Sequence, residues 1–365
     1  MPGLSSPRGG CGRFKGIGRR REPLLHSVYT VPMPGKKQRG KRAAGVTGRR
    51  KIRRAATGLA DSGWSAQRLG GVVVLHTAAL DRMDWLIHGY STRPGGISCL
   101  GPERVLNLGS ADWDTPEAVA ANGKRFLAAL ASRKPRRGGG SAQTSLVTLR
   151  QCHSDLIHAV STPLAEPLAG DALLTSTPGL MLAVRTADCL PILLADTRHR
   201  AVAAVHAGWR GTLARIAQKA LGRMHMEFGT RPEDVVAALG PSIGGCCYEV
   251  GPEVVQAYAA QFPNAREWFD GPFERLAAND DPAPFPWLSM TPPGHEVPAP
   301  RAQLDLRAAN RWQLTAAGVR GERIVSSRLC TACRTDLLFS HRREQGRTGR
   351  LLAVIGVVWR AQDRA

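Results

Sequence analysis

The sequence predicts an α+β fold: a single domain of mixed β-sheets layered with helices, a layered α/β sandwich, preceded by a disordered basic arm. Two observations carry that reading. Apolar runs such as VVVL, LMLAV, LPILLA, AVAAV and LLAVIGVV have the length of strands and no polar alternation, as in strands covered on both faces. Between them lie stretches whose apolar residues recur at helical spacing, each with a stop or start signal.

Taken in order, VVVLHTAAL and WLIHGYST read as strands around a turn. STRPGG reads as a second turn, because Pro94 and the paired Gly95–Gly96 break regular structure. DTPEAVAANGKRFLAALA is a helix: Asp114 or Thr115 can cap it and Pro116 suits its first turn. SLVTLRQCHSD, LIHAVS, GDALLTS, LMLAVRTADCLPILLAD and AVAAVHAG read as β-rich core. GTLARIAQKALGRMHMEFG predicts one amphipathic helix ended by Gly229. PEDVVAALG runs from a short helix start into a strand, PEVVQAYAAQF and DLRAANRWQLTAAG are helices, and RLLAVIGVVW is a final strand. Residues about 263–303, rich in Pro, Asp and Trp, read as an irregular insertion or flap. No linker divides the chain after Val72, so residues 71–365 are expected to be one domain.

Residues 1–70 form the basic arm. The first 60 residues hold sixteen Lys or Arg against Glu22 alone, a net +15 of the chain's +21. A Gly-rich segment of that composition cannot bury enough apolar surface to offset its chain entropy. Its charge suits contact with nucleic acid through phosphate neutralisation, or a solvated tail. The start MPGLSSPRGGCGRFK has no apolar signal-peptide core and no run is long enough to span a bilayer, so the expected setting is cytoplasmic and reducing. There, eight cysteines suit metal binding or catalysis better than a disulfide framework.

Chemistry concentrates where strands end. His153 in QCHSD, Cys189 in TADC and His206 in VHAGWRG offer imidazole and thiolate, a donor set suited to zinc with a fourth position left open. The same residues allow Cys189 as a nucleophile with His206 as its base. Asp188 is placed for proton transfer and Arg210 for gripping an anion. Arg93, beside the glycine turn, and Asn107, with both a donor and an acceptor, are candidate substrate-binding residues. Cys246–Cys247 and Cys330-Thr-Ala-Cys333 read either as reduced packing cysteines or as ligands of a second metal. Adjacent cysteines on a strand would face opposite ways. Tyr248 and Ser340-His341-Arg342-Arg343 complete the pocket candidates.

The blocks HGYSTRPGGIS (88–98), NLGS (107–110), QCHSD (151–155), GDALLT (170–175), LAVRTADCLPILLAD (182–196), AAVHAGWRGT (203–212), ALGPSIGGCCYEVGPEV (238–254), LDLRAANRWQL (304–314) and CTACRTDLLFSHRREQGRTGR (330–350) occur in one order along the chain. Through them the sequence resembles the multicopper polyphenol oxidase, or laccase-like, family, whose members are better described as zinc-dependent purine nucleoside phosphorylases and peptidoglycan editing factors. The resemblance implies zinc (Zn2+) held by His153, Cys189 and His206. It also implies phosphorolysis of adenosine, inosine and methylthioadenosine, with purine nucleosides and phosphate as partners, and an adenosine deaminase side activity. The chain's ten histidines include no H-x-H pair, which disfavours a multicopper oxidase. Two rival functions remain: an amidohydrolase editing peptidoglycan precursors, and nucleic-acid binding through residues 1–60.

Overall fold

The computed structural model describes residues 30–31, 63–133, 144–278 and 300–358. The first half runs β1 (Thr30–Val31), β2 (Trp64–Leu69), β3 (Val72–Thr77), α1 (Ala78–Asp81), β4 (Leu86–Ser91), β5 (Pro94–Leu100), β6 (Glu103–Val105) and α2 (Pro116–Arg133), then β7 (Thr144–Thr148), β8 (Ile157–Ala159) and β9 (Ala172–Thr175). It continues with β10 (Leu180–Thr186), β11 (Leu190–Asp196), β12 (Val202–Ala207), α3 (Trp209–Leu213), α4 (Ile216–Phe228) and β13 (Val235–Leu239). The last part holds β14 (Glu249–Val250), α5 (Pro252–Gln261), β15 (Phe269–Asp270), α6 (Phe273–Ala277), β16 (Ala302–Leu304), α7 (Leu306–Ala316), β17 (Ile324–Ser326) and β18 (Leu351–Val357).

Two large sheets carry the fold. One has strand order β1-β7-β10-β18-β4-β3-β2 and the other β17-β13-β11-β12-β9-β8. Their facing surfaces share one core, with Leu75, Leu86, Leu182, Val184 and Ile355 from the first sheet and Leu173, Leu193, Val202 and Val236 from the second. Alternate residues of the same strands point outward and are buried too. Val74, Ile87, Met181 and Val354 meet Phe126, Leu127 and Leu130 of α2. Leu174, Ile192, Leu194 and Val205 meet Ile216, Ala220 and Met224 of α4. This is a four-layer sandwich, helix on sheet on sheet on helix, and it explains the continuous apolar runs. A smaller third core gathers Tyr258, Phe262, Trp268, Phe269 and Phe273 around the β14-β16-β15 sheet.

The connections between the sheets position the chemistry. β7 lies in the first sheet and β8 in the second, so the segment containing His153 crosses between them. The β10–β11 connection, with Cys189, crosses in the same way, as does the β17–β18 connection that contains Cys330 and Cys333.

The expectation of a disordered arm over residues 1–70 falls mostly outside the described residues, but order begins before Val72. β2 pairs antiparallel with β3, Trp64 opposite Thr77 through Leu69 opposite Val72. Trp64 and Ala66 turn into the core while Ser65 and Gln67 do not, a period-2 pattern too short and polar to stand out in the sequence. Pro94, Gly95 and Gly96 open a bulged strand rather than a simple turn. A Cβ on Gly96 would fall 2.0 Å from the Val105 carbonyl oxygen, so the glycine serves strand contact. The single helix expected over 211–229 is instead two helices broken at Arg215, whose φ is 62°. The break lays the Arg215 guanidinium over the Phe262 ring, 4.4 Å from its centroid. The flanks of the expected flap at 263–303 are ordered, because Trp268, Phe269, Phe273 and Leu276 find an apolar core of their own; residues 279–299 lie outside the described residues. No helix among the described residues is long and apolar enough to cross a membrane.

Candidate metal centre

Two strand ends and one connecting loop converge at one rim, His153 lying in the loop rather than at the strand end the sequence predicts. Cys189 immediately precedes β11 and His206 lies one residue from the end of β12. The register sets Leu190 opposite Ala207 and Pro191 opposite His206. His153 arrives from the β7–β8 connection. One ligand atom from each of the three lies within 4.8 Å of the others. Cys189 Sγ is 3.8 Å from His153 Nε2, and the two imidazole rings stand edge to face with centroids 5.0 Å apart. A separation of 3.8 Å is too long for a strong hydrogen bond. It is close to the ~3.6 Å expected between sulfur and nitrogen ligands of one tetrahedral ion, given bonds of about 2.3 and 2.1 Å.

The backbone is bent to achieve this. His153 has φ 58° and Asp188, next to Cys189, has φ 93°. Such conformations cost on the order of 1–3 kcal/mol each and persist where surrounding bonds hold them. Asp171, the residue before β9, holds the first. Its Oδ1 accepts from His153 N at 3.1 Å and from His206 Nδ1 at 2.8 Å. Its Oδ2 accepts from Ser154 N at 2.6 Å and Ser154 Oγ at 2.7 Å. With Nδ1 committed to Asp171, His206 presents Nε2 to the centre, the carboxylate–histidine arrangement of metal sites. Thr331 and the loop after Ser340 hold the second bend. Asp188 Oδ1 accepts from Thr331 Oγ1 at 2.6 Å and Oδ2 from Arg342 N at 2.6 Å.

Gly208 closes the floor. A Cβ there would sit 3.0 Å from Cys189 Sγ and 3.2 Å from His153 Cδ2. A side chain at Gly208 would therefore press on two of the three donors.

The electrostatics pair a Cys189 thiolate with a protonated His206, whose Nε2 proton a cation would displace on binding. Burial raises the Cys189 thiol, but His206 and His153 outweigh it and bring the pKa down to about 6. Burial also opposes a charged His206, but Cys189 and Asp171 raise it to about 9. Burial opposes the charge on Asp171 as well; hydrogen bonds from His206 and Ser154 hold the carboxyl well below its usual range. Tyr248 stands nearby, its hydroxyl pushed far above the ordinary phenol value by burial and by Cys189, so it remains a proton donor at neutral pH. Arg342 lies over the Tyr248 ring, 5.3 Å from the centroid.

The other residues singled out in the sequence lie in varied settings. Arg210 is exposed, stacks on Trp209 at 4.3 Å, and lines a surface depression of about 530 Å³ together with Lys219 and Gln261. Arg93 is bound by Glu344 at 2.5 Å and Glu103 at 2.9 Å and lies over Phe339. Asn107 is wholly buried and bonds Gly109, Asp114 and Arg350 N. His341 and Arg343 are exposed and Ser340 is buried. Asp171 was not singled out in the sequence. A carboxylate directly before the buried strand ALLT was the available signal, since a buried charge needs partners.

The fold and site define a layered α/β protein with a His-Cys-His cluster at a strand rim whose ligand atoms lie close enough to hold one metal ion. The chain belongs to the family described as multi-copper polyphenol oxidoreductase laccase, which matches residues 87–358. It is 40% identical to a purine nucleoside phosphorylase of Deinococcus radiodurans over 274 residues, 74% of this chain and 88% of that one. It is 30% identical to human purine nucleoside phosphorylase LACC1, over 80% of this chain and 60% of that protein. The crystal structure of YlmD from Geobacillus stearothermophilus superimposes with a TM-score of 0.61 at 31% identity, covering 80% of this chain and 98% of that one. A Bacillus licheniformis protein, YfiH, gives 0.62 at 28% identity, covering 79% and 97%.

Proposed function

We propose that this chain is a zinc-dependent purine nucleoside phosphorylase acting on adenosine, inosine and methylthioadenosine, with adenosine deamination as a side activity. The observation that carries the metal half of this reading is the convergence of His153, Cys189 and His206 on one point, with Asp171 fixing His206. The substrate half rests on similarity to relatives named purine nucleoside phosphorylase.

The donor set fits zinc: one thiolate and two imidazoles leave a fourth position. A bound zinc ion would supply Lewis acidity and bring the pKa of a coordinated water to about 7. The chain's own residues do the rest. Asp171 accepts from Nδ1 of His206 and so directs Nε2 toward the ion, which would displace the Nε2 proton. Tyr248 offers an aromatic face to a purine and a protonated hydroxyl as a donor. Arg210 and Arg342 add positive charge beside Tyr248, suited to phosphate. The two hydrogen bonds that hold the Asp188 carboxylate give it a positioning role, fixing the turn that presents Cys189. Arg93 and Asn107, tied into ion-pair and buried networks, are read as scaffold.

The test uses the full chain. Adenine release from adenosine is measured with and without phosphate, beside metal content, for wild type and Cys189→Ala. Phosphate-dependent release that disappears in Cys189→Ala, together with about one metal ion per chain, supports the reading. Metal without nucleoside turnover overturns the substrate assignment and redirects the search to amide substrates. Activity retained without metal overturns the centre and returns Cys189 to the role of nucleophile.

A further inference from the structure

Four cysteines outside the centre just described come together. The sulfurs of Cys246 and Cys333 are 3.7 Å apart, those of Cys247 and Cys333 3.4 Å, and those of Cys246 and Cys247 3.7 Å. Cys330 completes the group, all four sulfurs lying within 4.8 Å of one another. All four are free thiols.

Adjacent cysteines would point apart on a strand, but Cys246 and Cys247 do not lie on one. They occupy a turn closed by Cys247 N and Tyr248 N donating to Gly244 O, at 2.9 and 3.0 Å. The turn aims both sulfurs the same way. A second turn, closed by Arg334 N donating to Cys330 O at 3.1 Å, presents Cys330 and Cys333 from the other side. The two turns are stitched by a parallel bridge between Ser242 and Cys330 and by Thr331 N donating to Ser242 O. Gly244 N donates to Cys330 Sγ at 3.2 Å.

We propose that Cys246, Cys247, Cys330 and Cys333 form a second metal site, a tetrathiolate that takes a zinc-type divalent cation. Four sulfurs bound to one ion at about 2.3 Å stand ~3.8 Å apart along each edge of the tetrahedron. The measured separations approach that value. They exceed by far the ~2.05 Å of a disulfide bond. Thiolate donors and tetrahedral geometry select zinc over hard cations. A structural site is closed, with four protein ligands and no open position, and this group supplies four. Packing alone does not account for the cluster, because Cys246 and Cys333 are exposed and gain little by burial. Binding of a cation by these sulfurs releases thiol protons to solvent.

The site's position gives it a purpose. Cys247 precedes Tyr248, which flanks the first centre. Thr331, between Cys330 and Cys333, holds Asp188 and through it the turn of Cys189. An ion here would clamp two walls of the first centre without touching its ligands.

The experiment is metal analysis of the full chain purified under reducing conditions without chelator, for wild type, Cys333→Ser, Cys246→Ser and Cys189→Ala. Zinc per chain is expected to fall by about one ion in Cys333→Ser and in Cys246→Ser. The Cys189→Ala protein should keep the ion lost in those two. Cobalt reconstitution supplies a second readout. The intense sulfur-to-cobalt charge-transfer absorption of a tetrathiolate should survive in Cys189→Ala and collapse in Cys333→Ser. Should Cys333→Ser misfold, cobalt titration of wild type and Cys189→Ala still decides the matter. Equal zinc in wild type, Cys333→Ser and Cys246→Ser, or a cobalt spectrum lost in Cys189→Ala alone, would overturn the proposal. So would titration of all four thiols as freely reactive in the freshly purified native protein.

Discussion

Asp171→Asn tests the organisation of the centre with the smallest change of shape. The wild-type carboxylate accepts from His206 Nδ1, His153 N, Ser154 N and Ser154 Oγ, and Cys152 N approaches Oδ2 at 3.3 Å. An amide keeps one acceptor. Its oxygen satisfies either the His153 and His206 side or the Ser154 side, and its NH2 meets N–H donors on the other. Hydrogen bonds to charged groups contribute roughly 1.5–3 kcal/mol each, and a buried donor left unpaired costs about 1–3 kcal/mol. Losing charge assistance throughout and opposing at least one donor should cost about 3 kcal/mol of stability. Loss of such a second partner to a metal-bound histidine typically weakens the metal by about 10–100-fold. The assay is a chelator competition that gives the metal Kd, run beside urea unfolding of the metal-loaded protein. Asp171 is wholly buried, so the reasoning fails if Asp171→Asn binds metal as tightly as wild type.

Gly208→Ala should lose most of its metal while retaining the secondary structure seen by circular dichroism, since the new methyl would press on Cys189 Sγ and His153; full metal occupancy would show that the floor can yield. Asp81→Asn removes the partner of Arg133 (2.8 Å) and His76 (2.6 Å) and should cost about 1–3 kcal/mol. Burial opposes the Asp81 charge, but His76, His88 and Arg133 hold its carboxyl well below the usual range. The stabilisation from this carboxylate is therefore complete above the unfolded pKa of about 3.9 and is lost as pH falls toward the folded value. Urea midpoints of the two proteins should differ at pH 7 and converge on acidification, and a constant gap would remove Asp81 from the acid response. Trp64→Ala should destabilise by about 3–5 kcal/mol, because the ring is 1% exposed and packs on Tyr90 at 5.0 Å. A chain begun at Gly63 should unfold at higher urea than one begun at Val72, and identical midpoints would make β2 dispensable.

The sandwich was legible because both faces of its strands are covered, which writes each strand as an unbroken apolar run. The placing of Cys189 and His206 was legible because they stand at the ends of such runs, where a plain core residue would otherwise stand, whereas grouping them with His153 rested on the family resemblance. Asp171 was marked only by its place before the buried strand ALLT, which does not reveal partners 17 to 35 residues away. The meeting of the cysteine pairs was equally hidden. It depends on the backbone of Gly244–Cys247 turning rather than extending, and on a contact spanning 86 residues between Cys247 and Cys333. The break at Arg215 accompanies a contact with the distant Phe262 ring, which helical periodicity cannot sense.

His153 and Cys189 stand on segments that leave one sheet for the other, and so do Cys330 and Cys333. None of these residues can reach its companions until the two sheets have docked face to face. Pairings so remote along the chain form late, after the entropy of closing long loops has been met. An ion that needs the finished arrangement therefore binds the native state and not its precursors, and its binding free energy is added to that state alone. Metal capture would then act as a latch on folding, slowing unfolding far more than it speeds the approach to the native structure.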